Sequence, residues 1–182
     1  MTVTTGIVKT TGQLSCNAKR AWDLVCFYEH IQTKPSWFLR TVLPVPMRTT
    51  GCYGKIGDES RCMYSDGGYL AKKITNIVEG GRIDFDIIEQ SIRYCRSIAL
   101  RGGTIQVVAT AEETCEVHMI THYEFLTPFI ATARYFVETT ISSMHRIVMR
   151  DMEFRLAPQP ADTARAIATS AAYASSAIRT VG

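Results

Sequence analysis

The sequence predicts an α+β domain in which a curved antiparallel sheet of about seven strands wraps around one long C-terminal helix. Two observations lead to this fold class. Residues 127–156 carry apolar side chains at three- and four-residue spacing, which is typical of an α-helix. The residues before them form short segments of alternating polarity joined by turns, which is typical of hairpin-linked strands. Because a helix cannot bury a broad apolar face by itself, we expect the sheet to curve around it.

The long helix has a recognisable beginning and one apolar face. Thr127 is a good N-cap, and Pro128 suits the first helical position because its missing N–H costs nothing there. The predicted buried stripe consists of Ile130, Ala133, Val137, Ile141, Met144, Val148 and Met152. At ~1.5 Å per residue, such a helix would be roughly 45 Å long. It is the element around which we expect the rest of the chain to be arranged.

The N-terminal part predicts one strand followed by two short helices. Residues 3–16 are rich in Thr and Val, as β-strands are. Asn17 can cap a first helix whose apolar face includes Ala21, Trp22 and Val25. A second short helix or turn is expected at residues 30–35, where a proline ends it.

The middle of the chain predicts a meander of six strands. Their expected ranges are 47–52, 58–65, 69–78, 82–90, 97–110 and 115–125. The runs Asp66-Gly67-Gly68 and Glu79-Gly80-Gly81 are strong hairpin signals. Gly102 and Gly103 fall inside one long strand, where we expect a bulge or bend. Short turns between consecutive strands indicate an antiparallel sheet.

Composition limits the class of protein. The chain has 182 residues, of which 46% are hydrophobic and 20% charged, and a net charge of +3, which is too mild to indicate nucleic-acid binding. No apolar run reaches the ~20 residues of a membrane span, so we expect no integral membrane contact. The N-terminus lacks a signal pattern, and the six cysteines contain no C-x-x-C. These features favour a cytoplasmic protein with reduced thiols. We expect one domain over residues 1–156 and an Ala/Ser-rich tail over 157–182.

The chain resembles the START-like, or SRPBCC, superfamily, whose fold is called helix-grip. The order of elements carries most of the resemblance. Further support comes from Trp37 to Arg40, the proline-rich stretch Leu43 to Pro46, the residues after the first Gly-Gly hairpin, and Met144 to Arg146. In these features the chain is similar to bacterial proteins of the polyketide cyclase/dehydrase and lipid-transport-like kind. The resemblance implies a hydrophobic cavity between the sheet and the long helix.

Candidate ligand-contacting residues follow from that implied cavity together with strand parity and helical spacing. They are Trp37, Arg61, Tyr64, Tyr69, Phe85, Ile87, Met119, Tyr123, Phe136, Val137, Thr140 and Met144. Arg61 is the polar candidate, because its strand has no clear apolar parity and an inward Arg would carry a desolvation cost. The same aromatic and methionine side chains could instead be close-packed core, as apolar faces usually are.

No metal, cofactor or catalytic residue is predicted. His118 and His122 share one strand face, but residues four apart on a strand are ~13 Å from each other, too far to share one ion without other ligands. Cys26 and His30 are four residues apart without an evident third ligand. Phosphate-binding loops, hydrolase elbows and zinc signatures are absent from the sequence.

Three functions remain open from the sequence. The first is binding, with or without transport, of a hydrophobic small molecule such as a lipid, isoprenoid or polyketide. The second is a polyketide cyclase or aromatase that folds a poly-β-ketone chain in the same cavity. The third is an interaction module, and a homodimer is compatible with all three. Polar residues converging in the cavity would favour the enzyme, whereas a purely apolar lining would favour carriage.

Overall fold

The computed structural model describes residues 4–26, 46–51, 54–92, 95–127 and 134–157. The expected second short helix at 30–35 lies outside these residues. So do the tail beyond residue 157 and the proline at the predicted start of the long helix. Within the described residues, no helix is both long enough and apolar enough to cross a bilayer.

The described residues form one seven-stranded antiparallel sheet and two helices. The elements are β1 (Thr4–Leu14), α1 (Ala18–Cys26), β2 (Pro46–Gly51), β3 (Glu59–Tyr64), β4 (Tyr69–Val78), β5 (Arg82–Ser91), β6 (Ile98–Ala111), β7 (Thr114–Phe125) and α2 (Arg134–Leu156). The strand order is β1-β7-β6-β5-β4-β3-β2, and every neighbouring pair is antiparallel. The predicted fold class is therefore confirmed: a curved open sheet holds a long C-terminal helix.

The first helix begins as the sequence predicts. The Asn17 side chain accepts a hydrogen bond from the Arg20 N–H at 3.0 Å, which satisfies one of the unpaired donors of the first turn. Ala21, Trp22 and Val25 are all buried in the core. The helix thus closes one end of the sheet with its apolar face.

Glycines shape the sheet at its turns and at one bulge. Gly67 and Gly80 have φ values of 82° and 78° in the two predicted hairpin turns, a conformation that residues with a side chain rarely adopt. The expected bulge at Gly102 and Gly103 is confirmed by a register shift between Leu100 and Gly102 against β7. These features bend the sheet toward α2.

The two faces of the sheet are distinguished by β7. Its alternate residues Cys115, Val117, Met119, Tyr123 and Phe125 are buried, and this side is the concave face. The intervening positions, among them Glu116 and Glu124, lie on the outer face. Since paired residues of an antiparallel ladder point to the same side, the register assigns a face to every other strand position.

The long helix packs mainly against β1 and β7. Its buried residues include Val137, Ile141 and Met152 of the predicted stripe, together with His145 and Met149. The predicted stripe members Met144 and Val148 are only half-buried, so the buried face is rotated toward His145. An apolar pattern could not show this, because a histidine can replace an apolar residue in a core when both its ring nitrogens find partners.

Candidate functional site

A polar contact crosses the core beneath α2. His145 is 6% exposed, and its Nε2 and Nδ1 atoms lie 2.8 Å from the Thr121 hydroxyl and 3.0 Å from the Thr10 hydroxyl. Burial, with a smaller contribution from the charge of Lys72, lowers the pKa of His145 to about 4. The imidazole is therefore neutral at pH 7, and it ties the helix to β1 and β7.

A second polar contact ties the first turns of α2 to the sheet. The Tyr123 hydroxyl donates to Glu138 at 2.9 Å, and the Arg134 Nε–H donates to the same carboxylate oxygen at 2.8 Å. Burial and the bond to Glu138 raise the pKa of Tyr123. The phenol ring lies directly over Gly6 of β1, where a Cβ atom would collide with it. Tyr123 thus belongs to the closed side of the fold.

The concave face of β3, β4 and β5 has a different character. By register, Tyr64 of β3, Lys72 of β4, and Phe85 and Ile87 of β5 all point to this face. Phe85 is buried, whereas Tyr64, Lys72 and Ile87 are only half-buried. We call the surface formed by these four residues the groove. It is the part of the concave face that lies away from the main contacts of α2.

Phe85 of the groove extends over the neighbouring strand β6. Its register partner on β6 is Gly103, where a Cβ atom would come within 3.1 Å of the phenyl ring. The missing side chain at Gly103 therefore leaves the space that the ring uses. The Lys72 Nζ atom lies 4.7 Å from the centre of the same ring, within the range of a cation–π contact.

Two polar groups accompany Lys72 on the groove side of β3. Ser60 is the register partner of Lys72 and is 4% exposed, and its hydroxyl has no hydrogen-bond partner among the described residues. The Tyr64 pKa is raised by burial, an effect that the positive charge of Lys72 partly opposes. A buried hydroxyl without a partner costs free energy unless a further molecule supplies one.

Two of the candidate residues lie on the opposite side of the sheet. Arg61 and Tyr69 are at outer-face positions, and both contact Glu89. The Arg61 Nη2 atom is 3.3 Å from a Glu89 carboxylate oxygen, and the guanidinium carbon lies 4.4 Å from the centre of the Tyr69 ring. The Tyr69 hydroxyl donates to the other Glu89 oxygen. Arg61 and Tyr69 thus form an exposed outer cluster and have no place in the groove.

The remaining candidates lie on the concave face of the sheet, on α2, or outside the described residues. Tyr64, Phe85 and Ile87 form the groove, and Met119 and Tyr123 lie on the concave face of β7. On α2, Val137 is buried, Phe136 is half-exposed, and Thr140 and Met144 are half-buried. Trp37 lies outside the described residues.

Sequence reasoning missed Lys72 of the groove and its register partner Ser60. In β4, Lys72 stands between Leu70 and Ile74, whereas Lys73 has the parity of Ala71. That placement of a charge in an apolar row was the signal available for Lys72. For Ser60 there was no such signal, because β3 alternates without clear polarity.

The histidines of β7 lie on the outer face. His118 is 3.0 Å from the Thr11 hydroxyl and 3.3 Å from a Glu116 carboxylate oxygen. His122 is exposed. In the described part of the chain, no three His, Cys, Asp or Glu side chains are grouped as metal ligands.

Comparison with known proteins supports the architecture. Neither a protein-family model nor a curated protein sequence matches the chain. Truncated norcoclaurine synthase from Thalictrum flavum has a similar structure, with 12% identity, a TM-score of 0.61, and coverage of 87% of this chain and 98% of that one. A START superfamily protein from Mycobacterium smegmatis gives 11% identity, a TM-score of 0.60, and coverage of 82% and 95%. Major latex-like protein 151 from Panax ginseng gives 18%, 0.59, and coverage of 85% and 99%. The chain therefore has the helix-grip fold of these proteins.

Proposed function

We propose that this protein binds an apolar small molecule in the groove. The observation that carries the proposal is the half-burial of Tyr64, Lys72 and Ile87 on a concave face on which α2 mainly covers β1 and β7. Concave surfaces that combine apolar side chains with a few polar groups are the usual sites of small molecules. A lipid, an isoprenoid or a polyketide would supply apolar area to cover these side chains.

The structural neighbours support the same proposal. One norcoclaurine synthase structure of this fold, with 13% identity and a TM-score of 0.56, is a complex with dopamine and hydroxybenzaldehyde. The fold can therefore hold aromatic small molecules. Because fold alone does not determine function, the proposal depends on the groove residues of this chain.

A neutral fluorescent probe tests whether the groove takes an apolar molecule. We expect N-phenyl-1-naphthylamine to bind the wild-type protein and Ile87→Trp to weaken binding at least about tenfold, because the indole fills the same space. The melting temperature of Ile87→Trp should hold, since overpacking costs about 1–3 kcal/mol only where the site is already filled. Ile88→Trp is the matched control, because Ile88 is 48% exposed and sits at the register shift of β5. Equal probe binding by both variants would contradict the proposal.

Two half-buried cysteines allow the bound molecule to be located. Cys62 lies on the concave face of β3, with its sulfur 3.3 Å from the Thr49 hydroxyl, whereas Cys95 lies in the turn before β6. Saturating probe should slow the alkylation of Cys62 and leave that of Cys95 unchanged, as measured by peptide mass spectrometry. Protection of Cys95 alone would place the probe elsewhere.

An enzyme of the cyclase or aromatase kind is the second candidate function. It is favoured by the convergence of Lys72 and Tyr64, because proton movement needs polar groups beside an apolar substrate. His145 is poorly suited to that task, since both its ring nitrogens are engaged by threonines. Incubation with a synthetic poly-β-ketone thioester separates the two functions. Cyclised product that disappears in Lys72→Met supports the enzyme, and binding without turnover supports carriage.

A further inference from the structure

The charges of the sheet are distributed very unevenly between its two faces. All carboxylates of the described strands lie on the outer face: Glu59, Asp84, Asp86, Glu89, Glu116 and Glu124. Their basic neighbours pair with them there, as Lys73 does with Glu59 at 3.3 Å and Arg101 with Glu124 at 2.6 Å. Among the described strands, Lys72 is the one residue with a formal charge at a concave-face position.

The position of the Lys72 ammonium group within the groove follows from its contacts. The Nζ atom lies over the Phe85 ring, and that ring extends over Gly103 toward the centre of the sheet. The same charge opposes the rise in the pKa of Tyr64 and contributes to the lowered pKa of His145 in α2. The ammonium group therefore lies beside the Phe85 ring, where a molecule in the groove would meet it.

A register shift next to Lys72 contributes to this placement. Ala71 pairs with Glu89 and Lys72 with Ile87, so Ile88 is the extra residue of a bulge in β5. The bulge keeps Glu89 on the outer face while Lys72 shares the concave face with Ile87. Bulges commonly redirect side chains beside functional sites.

Ser60 provides an independent observation in the same place. Its buried hydroxyl faces the groove as the register partner of Lys72, and it has no partner among the described residues. A hydroxyl can donate to an oxygen atom of a bound molecule, which would remove the cost of burying it unpaired. The Tyr64 hydroxyl is a second donor on the same strand.

We propose that the molecule bound in the groove is an apolar carboxylic acid, whose carboxylate pairs with Lys72 and accepts hydrogen bonds from Ser60 and Tyr64. This inference rests on the proposed function and specifies its ligand class. The acid's apolar body lies against Phe85 and Ile87. A carboxylate is favoured over a cationic or neutral head group, because the Lys72 ammonium group attracts it and its oxygen atoms can accept hydrogen bonds from both hydroxyls.

Matched pairs of acids and alcohols test the inference at pH 8. Dodecanoic acid and dodecan-1-ol, and 2-naphthoic acid and 2-naphthylmethanol, are compared by displacement of N-phenyl-1-naphthylamine. In at least one pair we expect the acid to bind about tenfold more tightly than the alcohol, which corresponds to about 1.4 kcal/mol. Lys72→Met should abolish this preference, because the affinity for the acid should fall to about that for the alcohol.

Two further variants complete the test. Lys73→Met removes the same charge from the adjacent outer-face position and should leave the preference for the acid intact. Lys72→Arg keeps the charge and should retain at least part of the preference. If Lys72→Met does not fold, Tyr64→Phe takes its place in the test. This variant removes one hydroxyl only and should weaken binding of the acid severalfold.

The outcomes distinguish the inference from the proposed function. If the probe binds in the groove but acids and alcohols compete equally, the ligand class is wrong and the binding function stands. A preference for the acid that survives in Lys72→Met overturns the inference as well. If Ile87→Trp leaves probe binding unchanged, the proposed function fails first.

Discussion

The two halves of the concave face share one alternating pattern of apolar residues. They differ in the burial and hydrogen bonding of their polar side chains. In the closed half, formed by β1, β7 and α2, His145 is bonded to two threonines and Tyr123 to Glu138. In the groove half, Ser60 is buried without a partner among the described residues, and Lys72 is half-buried beside Phe85. The difference indicates that helix cover, more than strand sequence, decides which half is closed core and which half stays partly open.

Thiol reactivity should separate the two halves most strongly. Cys16 and Cys115 are buried in the closed core, and burial together with the neighbouring Cys16 raises the pKa of Cys115 to about 11. Cys115 should be alkylated at least about a thousandfold more slowly than Cys62, because its exposure requires opening of the core. Timed alkylation with mass spectrometry measures both rates. Comparable rates would mean that the β1–β7 side opens readily.

Equal deletions in the two halves should have unequal costs. Leu14→Ala removes a side chain that is 1% exposed and should lower the free energy of unfolding by about 2–5 kcal/mol. Ile87→Ala in the groove should cost about 1 kcal/mol or less, because its side chain is half-buried. Urea unfolding of both variants provides the comparison. Similar losses would show that the groove is packed as tightly as the core.

Acid should destabilise the closed half through His145. Its pKa of about 4 in the folded protein lies below the ordinary value of 6.5, so the unfolded chain binds the proton more readily between these pH values. The contribution of the neutral His145 to the free energy of unfolding is fully present above about pH 6.5. It should fall by about 3 kcal/mol as the pH drops to about 4. His145→Gln should flatten this part of the curve of unfolding free energy against pH. An unchanged slope in the variant would assign the acid sensitivity to other groups.

Removing one partner of His145 should have a moderate effect. Thr121→Val keeps the shape of the side chain but leaves the Nε2 atom of a buried histidine without its hydroxyl partner at 2.8 Å. We expect a loss of about 1–3 kcal/mol in thermal or urea unfolding. Thr121→Ser, which retains the hydroxyl, is the control and should recover most of that loss.

The smallest expected change is in the groove. Ser60→Ala removes a buried hydroxyl that has no partner among the described residues, so the unfolding free energy should stay within about 0.5 kcal/mol or rise. Comparing this change with that of Thr121→Val shows how much the removal of one hydroxyl changes the unfolding free energy in each half. A loss of 1 kcal/mol or more from Ser60→Ala would show that the hydroxyl already has a partner in the folded chain.

Much of the fold could be predicted because local signals agreed with one another. Asn17 caps α1, the two Gly-Gly turns close hairpins, and β4 has the predicted bounds Tyr69–Val78. Each signal acts over a few residues and does not depend on distant partners. The candidates taken from strand parity in β5 and β7, namely Phe85, Ile87, Met119 and Tyr123, all lie on the concave face.

The candidate site was harder to predict, and particular residues show why. Arg61 was taken as the polar candidate because β3 has no clear parity, and pairing with β4 placed it on the outer face beside Glu89. Lys72 was not among the candidates, yet the pairing of β4 with its neighbours places it on the concave face. A shift of one residue in register exchanges the two faces of a strand. Strands of mixed polarity therefore cannot be oriented without their neighbours.

By itself, the sequence determined the type and order of the described elements, since helical spacing, strand alternation, caps and turns depend on residues close in the chain. Tertiary structure alone decided which of two adjacent lysines faces the groove, and that a histidine, not Met144, lies at the centre of the buried helix face. Those outcomes depend on hydrogen bonds and register between residues distant in sequence, such as Thr10 with His145 and Ser60 with Lys72. Contacts of that kind exist only once the sheet has curved around the helix.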